Sequence, residues 1–148
     1  MDETSEQQRT MVRLHLWMER GGDTVFGMGR LQLLERIETC GSLKAAAEEL
    51  GMSYRAAWGK LKASEEALGL ALVEKLSGNK SGCRLTAEGA ALAKAFRIWF
   101  AEVERYAVSR AGALFPFVCC PFQERTRRGK AKAKIAAPDL CATQNIAK

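Results

Sequence analysis

The chain has 148 residues, 47% hydrophobic and 27% charged, with a formal net charge of +6. That length suits one domain with enough apolar content for a core, and no apolar run approaches the roughly 18 residues a membrane span needs, so a soluble, cytoplasmic protein is expected. The charge is unevenly placed: seven Lys/Arg against two Asp/Glu lie beyond Pro121, whereas residues 1–120 hold 16 basic and 15 acidic residues, so the net charge describes the tail rather than the body.

The opening stretch, MDETSEQQRT, is polar and reads as a disordered arm over residues 1–10, neither a signal nor a transit peptide. Val12, Leu14, Leu16 and Met18 then alternate with Arg13, His15, Trp17 and Glu19 up to Gly21-Gly22, the period of a half-buried strand. His15 is the one histidine, on the more polar face. Its neighbours supply neither a metal set nor a catalytic pair, so it is read as structural or solvated. Gly27-Met-Gly29 leads into a helix with Leu31, Leu34 and Ile37 on one side. The remaining glycine, lysine and hydroxyl of a phosphate-cradling loop are missing, which leaves a simple turn.

Residues 41–68 carry the clearest pattern. Ser42 is a good N-cap for a helix that would bury Leu43, Ala46, Ala47 and Leu50, Gly51 can close it in a left-handed conformation, and Ser53 can cap the next. In that second helix Ala57, Leu61, Ser64 and Leu68 should face the core, leaving Tyr54, Arg55, Trp58, Gly59 and Lys62 outward. From Ser53 to Lys62 this face has Arg55, Lys60 and Lys62 and no acid. Two short helices about a glycine turn form a helix-turn-helix, whose second helix enters the DNA major groove. On this hairpin alone, a helical pair in an ordinary all-α domain, with Trp58 buried and the lysines solvated, is an equal reading. The downstream sequence separates the two. Leu70–Glu74 is short and apolar, and Leu76–Leu85 holds a Gly/Asn/Ser cluster between strand-capable flanks; this reads as a β-hairpin, hence a wing, with Lys80 at its tip and Arg84 nearby as phosphate contacts. The expected class is mainly α with a small β wing.

The runs GRLQLLERIETCGSLKAAAEELGMSYRAAWGKL and LVEKLSGNKSGCRLTAEG resemble the N-terminal DNA-binding domain of the ModE molybdate-responsive regulators and, more distantly, the LysR-type winged helices. The resemblance implies a winged helix-turn-helix, with Ser53, Tyr54, Arg55, Trp58, Gly59 and Lys62 on the recognition surface and Lys80 and Arg84 on the wing. Ser42 is counted with these DNA-binding residues. Tyr54 and Arg55 would reach base edges, Arg55 by bidentate bonding to guanine, while Lys62, Lys80 and Arg84 touch phosphates and Trp58 packs at the backbone or braces the helix. The departures from the family pattern are also informative. The alternating strands of the molybdate-binding domains are not found, so neither molybdate sensing nor any small-molecule effector is carried over. The family wing is richer in glycine than residues 77–82, and LysR-like relatives usually have a larger polar residue at the position of Gly59.

After the wing, Thr86 caps a long helix expected over about residues 86–108, in which Leu92, Phe96, Trp99, Val103 and Tyr106 follow a heptad seam. Such a seam needs a partner, and a homodimer is expected, as the resemblance also implies. Two recognition helices would then read an inverted repeat. The winged domain with its dimerisation helix is accordingly placed at 11–110, followed over 111–148 by an apolar segment, AGALFPFVCCPF, and a basic, flexible tail. The cysteines at 40, 83, 119, 120 and 141 form no Cys-x-x-Cys pair, so no metal site is expected; Cys40 and Cys83 read as core or near-core thiols. Nor is there a nucleophile–base–orienter set or a nucleotide loop, so neither an enzyme nor a cofactor is expected. The alternative to a DNA-binding regulator is a winged-helix protein-interaction module, which salt distinguishes: DNA binding weakens steeply as salt rises.

Overall fold

The computed structural model describes residues 9–78 and 82–123. Lys80, Cys141, most of the N-terminal arm and nearly all of the basic tail lie outside these residues. The described residues form two compact units, one within Leu14–Val103 and one of residues 9–13 with 104–123.

In chain order the elements are β1 (Thr10–Val12), β2 (Trp17–Arg20), β3 (Asp23–Gly27), α1 (Met28–Cys40), α2 (Leu43–Glu49), α3 (Tyr54–Leu68), β4 (Val73–Lys75), β5 (Cys83–Leu85), α4 (Ala87–Leu114) and β6 (Cys119–Pro121). The single strand expected from residue 12 onward is instead two. The alternation survives as half-buried Val12, Leu14 and Leu16, but β1 pairs in parallel with β6 whereas β2 pairs with β3, and residues 13–16 belong to no strand. Strand β3 is an addition to the sequence reading. Gly21 and Gly22, at φ 62° and 89°, make the two-residue turn that joins it to β2, because two successive positive φ values match the twist of paired strands. β3 then delivers Val25 and Phe26 to the core.

The larger unit is built on a tri-helical frame. α1 buries Leu31, Leu33, Leu34 and Ile37, α2 buries Leu43, Ala46 and Ala47, and α3 buries Ala57, Leu61 and Ser64. Leu50 and Leu68, also assigned to the core, are partly buried against it. α1 ends where Gly41 turns left-handed at φ 72° and donates its N–H to the Ile37 carbonyl, so the corner before α2 closes within two residues. Arg20 Nη1 donates to the Ala67 carbonyl at 2.6 Å, tying the β2–β3 hairpin to the last turn of α3.

β4 and β5 form the wing ladder, antiparallel with Glu74 opposite Arg84. The joint between this ladder and α4 is held by backbone. Thr86 donates its N–H to the Leu72 carbonyl at 3.0 Å and its hydroxyl to the Ala71 carbonyl at 2.7 Å, while the hydroxyl oxygen accepts the Gly89 N–H at 3.0 Å. Leu72 therefore lies against the first turn of α4, and its carbonyl occupies the space a side chain at Gly89 would need.

α4 runs on to Leu114, beyond the expected end near residue 108. Its first half packs on the larger unit: Ala93 and Phe96 are buried, with Leu92 and Phe100 partly so. The Phe96 ring meets Phe26 edge-on at 5.2 Å and Trp99 at 5.6 Å. This corrects the assignment of Phe96 to a dimer seam, because its 2% exposure leaves nothing for a second chain to cover. Trp99 and Tyr106 remain exposed at 38% and 69%, and Val103 is half-buried.

In the smaller unit, Thr10 pairs with Cys119, Met11 with Cys120 and Val12 with Pro121. Thr10 is thus in a strand, where a disordered arm was expected, and residues 115–118 lead from the helix into β6. The Arg13 guanidinium sits 4.4 Å above the Phe122 ring. Cys119 and Cys120 are buried.

Candidate nucleic-acid interface

The two serines that punctuate residues 41–55 act through their side chains. Ser42 Oγ accepts the Ala45 N–H and Ser53 Oγ accepts the Ala56 N–H, both at 3.1 Å, so each satisfies one of the orphan amides of a helix start. Ser42 is half-buried in this role, whereas Ser53 stands exposed at the head of α3. Gly51, at φ +67°, turns the chain between the helices, and Met52 donates its N–H to the Ala47 carbonyl at 3.0 Å.

Because α3 advances about 100° per residue, its buried row of Ala57, Leu61 and Ser64 fixes what faces out. Tyr54 and Trp58 are 54% and 41% exposed, and Arg55, Gly59 and Lys60 are exposed with them. An exposed Trp58 removes the all-α alternative in which that ring would be core. Among the described residues Arg55 and Lys60 make no ion pair, so both guanidinium and ammonium groups remain free for an anionic partner.

Lys62 and Arg84 are engaged differently. The Lys62 ammonium donates to Glu65 Oε2 at 2.7 Å and lies 4.6 Å from the centre of the Trp58 ring. Glu65 is itself half-enclosed, and its other oxygen accepts the N–H groups of Leu72 at 2.9 Å and Val73 at 3.4 Å. A chain of contacts therefore runs from the outward ring of Trp58 through Lys62 and Glu65 to the root of the wing. Arg84 Nε donates to Glu74 Oε1 at 2.6 Å across the wing ladder. A phosphate contact by either cation would have to share it with a carboxylate already in place. Lys80 lies outside the described residues.

Glu65 is the residue that sequence reasoning missed. The one signal was Lys62 three residues earlier, a helical ion-pair spacing. Burial by itself would push the Glu65 carboxyl up, but the bonds from Lys62 and from the Leu72 and Val73 amides outweigh it and hold the group below the usual carboxylate range. A depressed folded-state pKa stabilises the fold above the unfolded value and is lost as pH falls through the folded value. Urea midpoints measured from about pH 6 down to about pH 3 should decline less steeply in Glu65→Gln than in the wild type, because the substitution removes one titrating group from that window. Parallel declines would show that Glu65 does not contribute.

No helix among the described residues is long and apolar enough to cross a membrane. Residues 28–90 match the family model of the bacterial regulatory helix-turn-helix protein, lysR family. Among curated proteins, the molybdenum-pterin-binding protein MopA of Rhodobacter capsulatus is 35% identical over 83 residues, 55% of this chain and 31% of that protein. The transcriptional regulator ModE of Haemophilus influenzae is 38% identical over 53 residues, 36% of this chain and 21% of that protein. The chain thus spans a third or less of the length of these relatives. Among solved structures, the CbnR_DBD–DNA complex is similar at a TM-score of 0.50 and 28% identity, covering 60% of this chain and 99% of that one.

Proposed function

We propose that this chain, whose residues 28–90 match the lysR-family helix-turn-helix model, binds double-stranded DNA sequence-specifically and regulates transcription as a homodimer. The observation that carries the reading is the outward face of α3. Tyr54, Arg55 and Trp58 stand exposed on the second helix of the pair, and the Arg55 guanidinium has no partner among the described residues. An unpaired guanidinium at the start of that helix suits bidentate bonding to guanine O6 and N7, the commonest specific contact in the major groove. Trp58, with Lys62 against its ring, braces the helix at the DNA backbone. Lys60 and Lys62 add charge near the phosphates, and Lys80 and Arg84 would add it from the wing, Arg84 less freely for its bond to Glu74.

Dimerisation is assigned to the outer side of α4, with Trp99, Val103 and Tyr106 as its apolar residues. Leu92 and Phe96 belong to the packing beneath it. Two α3 helices related by a two-fold axis would read an inverted repeat. The basic tail adds sequence-independent attraction to phosphates.

Arg55→Ala tests the assignment. Its loss should cost about 1–3 kcal/mol of discrimination at one base pair, while the dependence of binding on salt shifts only slightly. Competition of matched and singly mismatched duplexes against both proteins measures this. An equal loss of affinity for every duplex would reduce Arg55 to a phosphate contact, and binding insensitive to salt would favour a protein partner for this face.

A further inference from the structure

Gly59 occupies the middle of a 15-residue helix for which nothing in the domain asks for a glycine. Its backbone is ordinary helix, since it is not among the glycines with positive φ, and a Cβ built on it meets no atom within 4 Å. Glycine weakens a helix interior relative to alanine, because it loses more backbone freedom on folding. The residue is therefore unfavourable for the fold and unexplained by packing.

Its position supplies the explanation. Counting about 100° per residue, Gly59 lies nearly opposite the buried row Ala57, Leu61 and Ser64, on the outward face of α3. Its neighbours on that face are Ala56 and Arg55 on the preceding turn and Lys62 and Ala63 on the next. The surface is thus low at its centre, with an unpaired guanidinium to one side. We propose that Gly59 is a specificity-determining residue through its missing side chain: it lets the axis of α3 approach the floor of the major groove until a base-pair edge occupies the space a Cβ would fill. The close approach brings Arg55 within reach of its base and excludes partners too bulky at that step. This rests on the DNA-binding reading of the same face and deepens it.

The two roles a glycine can have predict opposite signs, and this makes the test decisive. Full-length wild type, Gly59→Ala and Gly59→Leu would be compared by thermal melting and by affinity for the duplex that the wild type enriches from a randomised pool. Both variants should melt higher, by about 2–8 °C, because alanine and leucine favour helix. Both should bind that duplex more weakly, Gly59→Ala by about tenfold and Gly59→Leu by more. Unchanged affinity in both variants would overturn the close approach while leaving DNA binding in place. Lower melting would also overturn it, by showing that the fold requires the glycine. If the wild type enriched no duplex, the DNA reading itself would fail and this assignment with it.

Discussion

Gly89→Ala should destabilise the protein by about 3 kcal/mol, at the upper end of what overpacking costs, and lower Tm by something on the order of 15 °C for a domain of this size. The added methyl would clash with the Leu72 carbonyl oxygen and come to 2.9 Å of its carbonyl carbon. Backbone cannot rotate out of the way as a flexible side chain can, so either the strand root or the first turn of α4 must move. Both are tied to Thr86, which bonds to Ala71, Leu72 and Gly89. Displacing the strand root also stretches the Glu65 bonds to the Leu72 and Val73 amides, so the wing should loosen along with the helix. Differential scanning calorimetry of the variant measures the loss. A Tm within a degree or two of wild type would mean that the strand and helix stand farther apart than described.

Phe96→Ala should cost about 3–5 kcal/mol, the range for truncating a buried aromatic side chain. The ring contacts Phe26, Trp99 and Phe100, so its loss opens a cavity where α4 meets β3. Tyr106→Ala, at an exposed site, should leave the fold within about 0.5 kcal/mol and act on self-association instead. Chemical unfolding and sedimentation of the two variants separate the cases. A folded, monomeric Phe96→Ala protein of unchanged stability would return Phe96 to the interface.

The contrast between those two residues illustrates what periodicity carries. Leu92, Phe96, Trp99, Val103 and Tyr106 share a heptad spacing, which identifies one side of a helix but not what covers it. The larger unit takes Leu92 and Phe96 because β3 brings Phe26 to the same place, and β3 was absent from the sequence reading. Its signal was present in Gly21-Gly22 followed by Thr24-Val25-Phe26, a two-glycine turn and a β-prone run. The helical pair was readable because both caps and both buried rows are local features: Ser42 and Ser53 bond three residues onward, and Ala57, Leu61 and Ser64 lie within two turns.

Long-range partners were not readable. Glu65 bonds to amides seven and eight residues away at the root of a strand whose placement depends on Thr86 and Gly89. The parallel pairing of β1 with β6 joins segments far apart in the sequence with no shared local pattern, which is why Val12 was assigned to the same strand as Met18. At the candidate interface, outward placement of Tyr54, Arg55, Trp58 and Gly59 follows from helix geometry alone. The carboxylates that engage Lys62 and Arg84 do not, since one depends on the wing root and the other on ladder register.

Selection from randomised duplex DNA with the full chain at near-physiological salt tests the central claim most directly. Enrichment of an inverted repeat whose two halves lie about one helical turn apart is the expected result for paired α3 helices. Enrichment of no sequence, alongside a dimeric mass in solution, would contradict it and assign the exposed face of α3 to a protein partner.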